Sequence, residues 1–125
     1  SLCIQAIEQA LAKRLHREKV LWHTDRGSQY ASREHQLVIE NNAMVSMSRK
    51  GNCWDNAMVE SFFKTLKTEC VYQNTYSNIN QAKEDITDYI INFYNLKRKH
   101  SALDYQSPVQ YENNYYENQK RKMAA

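Results

Sequence analysis

Glu60, Lys64 and Lys67 recur at steps of four and three residues. On a helix turning about 100° per residue they share one face. A carboxylate beside two ammonium groups could hold a metal ion with the first and a phosphate backbone with the others. The same spacing is also an ordinary decoration of a solvated helix surface. A second carboxylate shifts the balance. Val20, Leu21 and Trp22 form a short apolar run that leads to Asp25, and Gly27 then breaks the chain. That pattern predicts a buried strand with an acid at its C-terminal end, which is where open α/β sheets bind their ligands.

A carboxylate lodged at a strand end costs desolvation unless a positive group joins it. Mg²⁺, a hard cation that prefers carboxylate, water and phosphate oxygens, would serve. Arg26 would compete as a salt-bridge partner, and His23 is expected to pack beneath the site. Between the two acids, the loop from Ser48 to Asn56 offers Arg49 and Lys50 to phosphates, Gly51 for backbone freedom, and Trp54. The indole could stack on an unpaired base or simply anchor the loop. Asp55 or Asn56 is expected to cap the following helix, which makes Asp55 a structural carboxylate.

The positioning elements follow from periodicity. Residues 2–15 predict a helix with Leu2, Ile4, Ala6, Ile7, Ala10, Leu11 and Leu15 on one side. Lys13, Arg14, His16, Arg17 and Lys19 crowd its end, where cations suit the helix dipole. A strand is expected at 20–24. A helix should open at Ser32 and end near Asn41 and Asn42, residues tolerant of left-handed backbone, before a second strand at 44–47. Val59, Phe62, Phe63, Leu66 and Cys70 form the apolar arc of the Glu60 helix. A polar connection at 71–78 precedes a long helix whose Ile79, Ala82, Ile86, Ile90, Phe93 and Leu96 make a core stripe. Pro108 should stop regular helix in its neighbourhood, and the polar, basic remainder is expected to form a frayed or loosely docked helical tail.

Four stretches are specific enough to suggest a family. His23-Thr-Asp-Arg-Gly-Ser-Gln-Tyr30, Ser46-Met-Ser-Arg-Lys-Gly-Asn-Cys-Trp-Asp-Asn-Ala57, Glu60-Ser-Phe-Phe-Lys-Thr-Leu-Lys67 and His100-Ser-Ala-Leu-Asp-Tyr-Gln-Ser-Pro108 occur in order. Together they resemble bacterial insertion-sequence transposases of the second-reading-frame type, whose catalytic core is related to retroviral integrase. The resemblance implies an α/β, ribonuclease H-like fold and an Asp, Asp, Glu triad that binds two divalent ions, Mg²⁺ or Mn²⁺, for DNA cleavage and strand transfer. Asp25 matches the second acid and Glu60 the third, as catalytic residues and metal ligands. The 34 residues between them are one fewer than is usual in that family, and the shortening falls around Asn41, Asn42 and Ala43. The first acid belongs to an upstream strand that nothing here matches. The chain therefore resembles the C-terminal half of a transposase, an incomplete integrase core that is helix-rich and lacks the N-terminal antiparallel strands. Its domain division is expected to be 1–111, partial catalytic core, and 112–125, tail.

The implied partners are the DNA of transposon ends and target, met by Arg49, Lys50, Trp54, Lys64 and Lys67, and further copies of the protein in a homo-oligomer. With two metal ligands of three, the chain alone is expected to be inactive. A DNA-binding fragment without chemistry, a degenerate remnant and a ribonuclease are the alternatives. Composition permits these readings without choosing among them. A net charge of +3 over 125 residues is modest, so local clusters must carry any nucleic-acid argument. Three cysteines, at 3, 53 and 70, lack metal-ligand spacing and read as isolated thiols in a reducing compartment. No apolar run of membrane-spanning length and no signal peptide is seen. The expected setting is the bacterial cytoplasm, at the nucleoid.

Overall fold

The apolar run at Val20 does become a strand, and its partner lies 23 residues further on. In the computed structural model, which describes residues 2–14 and 20–125 apart from the Cys53 side chain, β1 (Val20–Thr24) and β2 (Ala43–Met47) pair in parallel. The register sets Val20 against Ala43 and Thr24 against Met47. Parallel strands need a crossover. Helix α2 (Arg33–Glu40) lies within it, while α1 (Leu2–Lys13) precedes the sheet. The chain then runs through a 3₁₀ turn (Cys53–Asn56), α3 (Ala57–Glu69), a second 3₁₀ turn (Val71–Gln73), α4 (Ile79–Asp88), a π-helical segment (Tyr89–Tyr94), a third 3₁₀ turn (Ser101–Leu103) and α5 (Pro108–Ala124). It divides into two compact units, 1–61 and 62–125.

In the first unit, Ile7 of α1, Ile39 of α2 and Ala43 of β2 are buried together, with Leu11, Val20, Trp22 and Val38 packed against them. The strand is half-buried. Val20, Trp22 and Thr24 turn inward, whereas Leu21 is 65 % exposed. The expected fully buried strand is therefore corrected to the alternation of a sheet packed on one face. Helix α2 opens as its sequence predicts, with the Ser32 hydroxyl accepting from the His35 amide. Its end differs: Asn41 keeps right-handed backbone at φ −80°. The Asn41 and Asn42 side-chain amides instead donate to the Leu37 and Val38 carbonyls, satisfying groups that a helix end leaves unpaired. Helix α1 closes at Lys13. Leu15, His16, Arg17 and Lys19, expected to finish it, lie outside the described residues.

In the second unit, Leu66 and Cys70 are buried, and the Phe62 ring meets Tyr94 edge-on at 5.0 Å. Arg98 donates two-pronged to Glu69 at 2.8–3.0 Å, and the Tyr89 hydroxyl adds a third donor at 2.6 Å. The Asp85 carboxylate accepts from Tyr76, Asn74 and Cys70. The expected single long helix is interrupted. After Asp88 the backbone widens, so that the Asn95 amide reaches back five residues to Ile90 and the Arg98 amide to Phe93. One extra residue per turn rotates the predicted stripe off its face. Ala82, Ile86 and Ile90 are half-buried, while Ile79, Phe93 and Leu96 are 70, 42 and 46 % exposed.

Pro108 does not stop a helix here but starts one, since proline's missing amide costs nothing at the first helical position. Ser107 and Gln110 form a reciprocal capping box ahead of it. Among the described residues, no helix is long and apolar enough to cross a membrane.

Candidate active site

The end of β1 turns sharply. The Asp25 carboxylate accepts from the Gly27 amide at 2.8 Å, and a Cβ at Gly27 would stand 3.0 Å from that same oxygen. Glycine is required there for space. Arg26 does not pair with Asp25, contrary to the salt bridge considered from sequence. Its Nε donates to the Ser48 carbonyl at 2.9 Å, while the Ser48 amide donates to the Thr24 carbonyl at 2.9 Å. The guanidinium thus fastens the exits of the two strands to each other.

The following loop is shaped by its own polar side chains. Gly51 adopts φ +73°, a conformation that costs other residues 1–2 kcal/mol or so. Asn52 caps the 3₁₀ turn, its Oδ1 accepting from the Trp54 amide at 3.0 Å. Asp55 and Asn56, expected from sequence to cap α3, are both engaged elsewhere. Asp55 accepts from the Arg49 amide at 2.8 Å and from its guanidinium at 3.0 and 3.3 Å. That guanidinium holds the Asp55 carboxyl below the usual carboxylate range, and the carboxylate raises Arg49 in turn. Asn56 accepts from His23 at 3.2 Å, and the other ring nitrogen meets the Ser46 hydroxyl at 2.9 Å. His23 is exposed and bridges three segments, so it does not pack beneath the site as expected.

These elements surround an open cleft of about 690 Å³ whose lining includes Arg26, Arg49, Lys50, Asn52, Asn56 and Glu60. Glu60 stands one turn into α3, exposed, and among the described residues it makes no hydrogen bond or ion pair. It faces a cleft with three cations, one of which is already shared with Asp55. The structure therefore gathers Arg49, Lys50 and Glu60. Asp25 contributes nothing to the lining, although its neighbour Arg26 does. Trp54 is 82 % exposed. Lys64 and Lys67 follow Glu60 along α3, both exposed. Sequence reasoning missed the bridging role of His23 and the capping by Asn52. An Asn two residues before a turn's amide is a local cue for the latter, but no local cue exists for the former.

Among the described residues, no three His, Cys, Asp or Glu side chains are grouped to hold a metal ion. Asp25 and Glu60 supply hard carboxylate oxygens, and Glu60 is unengaged. That donor chemistry suits Mg²⁺, which is held by one or two carboxylates with water and phosphate completing its shell.

The class of protein follows from comparison. Residues 60–116 match the integrase core domain, which implies a ribonuclease H-like fold, and most of the chain is similar to insertion-sequence transposases. It is 46 % identical over 105 residues to the transposase for insertion sequence element IS904 of Lactococcus lactis subsp. lactis (strain IL1403), covering 83 % of this chain and 42 % of that protein. To the putative transposase InsK of IS150 from Escherichia coli (strain K12) it is 43 % identical over 111 residues, 88 % of this chain and 39 % of the relative. Transposase InsF of IS3A from the same organism is 41 % identical over 113 residues, 90 % and 39 % of the two chains. The chain thus spans about two-fifths of the length of these relatives. No solved structure matches it.

Proposed function

We propose that this chain is the part of a DNA transposase core that carries the second and third acids of the triad, Asp25 and Glu60. The observation that supports this most is Glu60, an acid left without a partner on a cleft rich in cations. Asp25 and Glu60 would hold Mg²⁺ or Mn²⁺, two ions in a complete site, and metal bound there would activate water or a DNA 3′ hydroxyl and stabilise the departing oxygen at phosphorus. The remaining work is done by the chain itself. Lys50 and Arg49 bind phosphate oxygens from the loop, Lys64 and Lys67 bind them from α3, and Trp54 stacks on an unpaired base. No protein nucleophile is required.

Residues 1–111 would form part of the catalytic core and 112–125 a basic tail, although α5 runs unbroken through that boundary. The working protein would be a homo-oligomer on DNA in the bacterial cytoplasm. Because two carboxylates are one short of the triad, the chain alone should neither nick nor join DNA. The test is incubation of purified chain with a labelled transposon end in Mg²⁺ or Mn²⁺. Cleavage or strand transfer that vanishes in Asp25→Asn and Glu60→Gln would defeat the expectation of inactivity. A second reading, DNA binding without chemistry, draws on the position of Asp25 outside the cleft lining. Binding that persists unchanged through both acid substitutions and through metal removal would favour it.

A further inference from the structure

The two acids sit on separate elements, one at a strand end and the other one turn into a helix. Something must fix the strand to the helix for both to address one ion. We propose that His23 is the positioning residue that does this, an inference that rests on the metal-binding reading of Asp25 and Glu60. His23 lies two residues before Asp25 on β1. Its Nε2 is 3.2 Å from Asn56 Oδ1, and Asn56 is four residues, one helical turn, before Glu60. Its Nδ1 is 2.9 Å from the hydroxyl of Ser46, its register partner on β2. One imidazole therefore touches the strand that leads to Asp25, the neighbouring strand and the helical turn that leads to Glu60.

The chemistry of the partners assigns the proton. An amide oxygen only accepts, so Nε2 carries the hydrogen and donates to Asn56. Nδ1 and the Ser46 hydroxyl form the second bond, in which either atom can give the hydrogen. The ring is exposed, where water competes for each bond and the net contribution to stability is small. Orientation is what such a tie supplies. Side chains that orient metal ligands at one remove alter metal affinity 10- to 100-fold or so when removed. Arg26 joins the strand exits but reaches no residue of the helical turn, so His23 alone among the described side chains bonds β1 to Asn56.

The test uses the full chain and Mn²⁺ alone, with free Mn²⁺ followed by its paramagnetic resonance and folding followed by urea unfolding. His23→Ala should weaken Mn²⁺ binding about tenfold while the unfolding midpoint stays close to wild type. His23→Gln, which offers an N–H to Asn56 and a carbonyl to Ser46, should recover most of the loss. Nitrogen-15 spectra should place the imidazole proton on Nε2. Unchanged Mn²⁺ affinity in His23→Ala overturns the proposal. So does a joint fall of affinity and midpoint that Gln does not repair, which would mark the ring as structural only. If wild-type chain takes up no Mn²⁺, or takes it up regardless of Asp25→Asn and Glu60→Gln, the metal reading itself fails and the positioning role falls with it.

Discussion

A single glycine illustrates how residue-level chemistry shapes the cleft. Gly51 holds φ +73° with nothing within 4 Å of where a Cβ would stand. Gly51→Ala therefore meets no steric obstacle beyond its own backbone, and the expected cost is about 1 kcal/mol, read as a lowered urea midpoint. A cost near zero would mean that the loop relaxes out of its left-handed turn. Around this glycine the types of residue were legible in the sequence, while their bonds were not. Of the residues singled out by motif and spacing, Glu60, Arg49 and Lys50 line one cleft, and Asp25 does not. That Asp55 would be claimed by Arg49 and Asn56 by His23 depends on which strand lies beside which. That register is set by packing 20 to 30 residues away and leaves no local mark.

Among the elements, β1, α2 and β2 were readable because each carries its own punctuation: an apolar run, a serine cap, an asparagine pair. The break in the long helix was not. A π turn inserts one residue without a compositional cue, so the stripe through Phe93 and Leu96 reads as continuous although those side chains face outward. The widened turn is held by Glu69, which takes Arg98 and Tyr89 together. The Arg98 guanidinium, with help from the Tyr89 hydroxyl and against the opposing effect of burial, keeps the Glu69 carboxyl below its ordinary range. A depressed folded value means stability that is full above the ordinary glutamate value, about 4.3, and lost as pH falls through the lower folded one. The melting temperature should therefore decline on acidification below that value, and Glu69→Gln should flatten the decline. An identical pH profile in the variant would show that this cluster does not govern acid stability. Burial, and then the nearby Arg98 charge, push His100 down. The imidazole is thus harder to charge than that of an exposed histidine.

At the scale of the molecule, a net charge of +3 is too small to secure DNA by itself, so the proposed binding would rest on the clustered cations. Binding to duplex ends should weaken steeply with salt. Replacing Lys50, Lys64 or Lys67 singly by Gln should reduce the slope of log K against log salt by about one each, as measured by anisotropy titration. Equal slopes in all variants would remove these lysines from the interface. The division of the chain has a further consequence, in time. Within the first unit the joining contacts, Ile7 to Ile39 and β1 to β2, link residues fewer than 40 apart. Within the second, Glu69 and Arg98 are separated by 29. Short closures form quickly, and units fold in the order in which they leave the ribosome. The segment bearing Asp25 and Glu60 can thus take shape during synthesis, before the glutamate–arginine clasp behind it has left the ribosome.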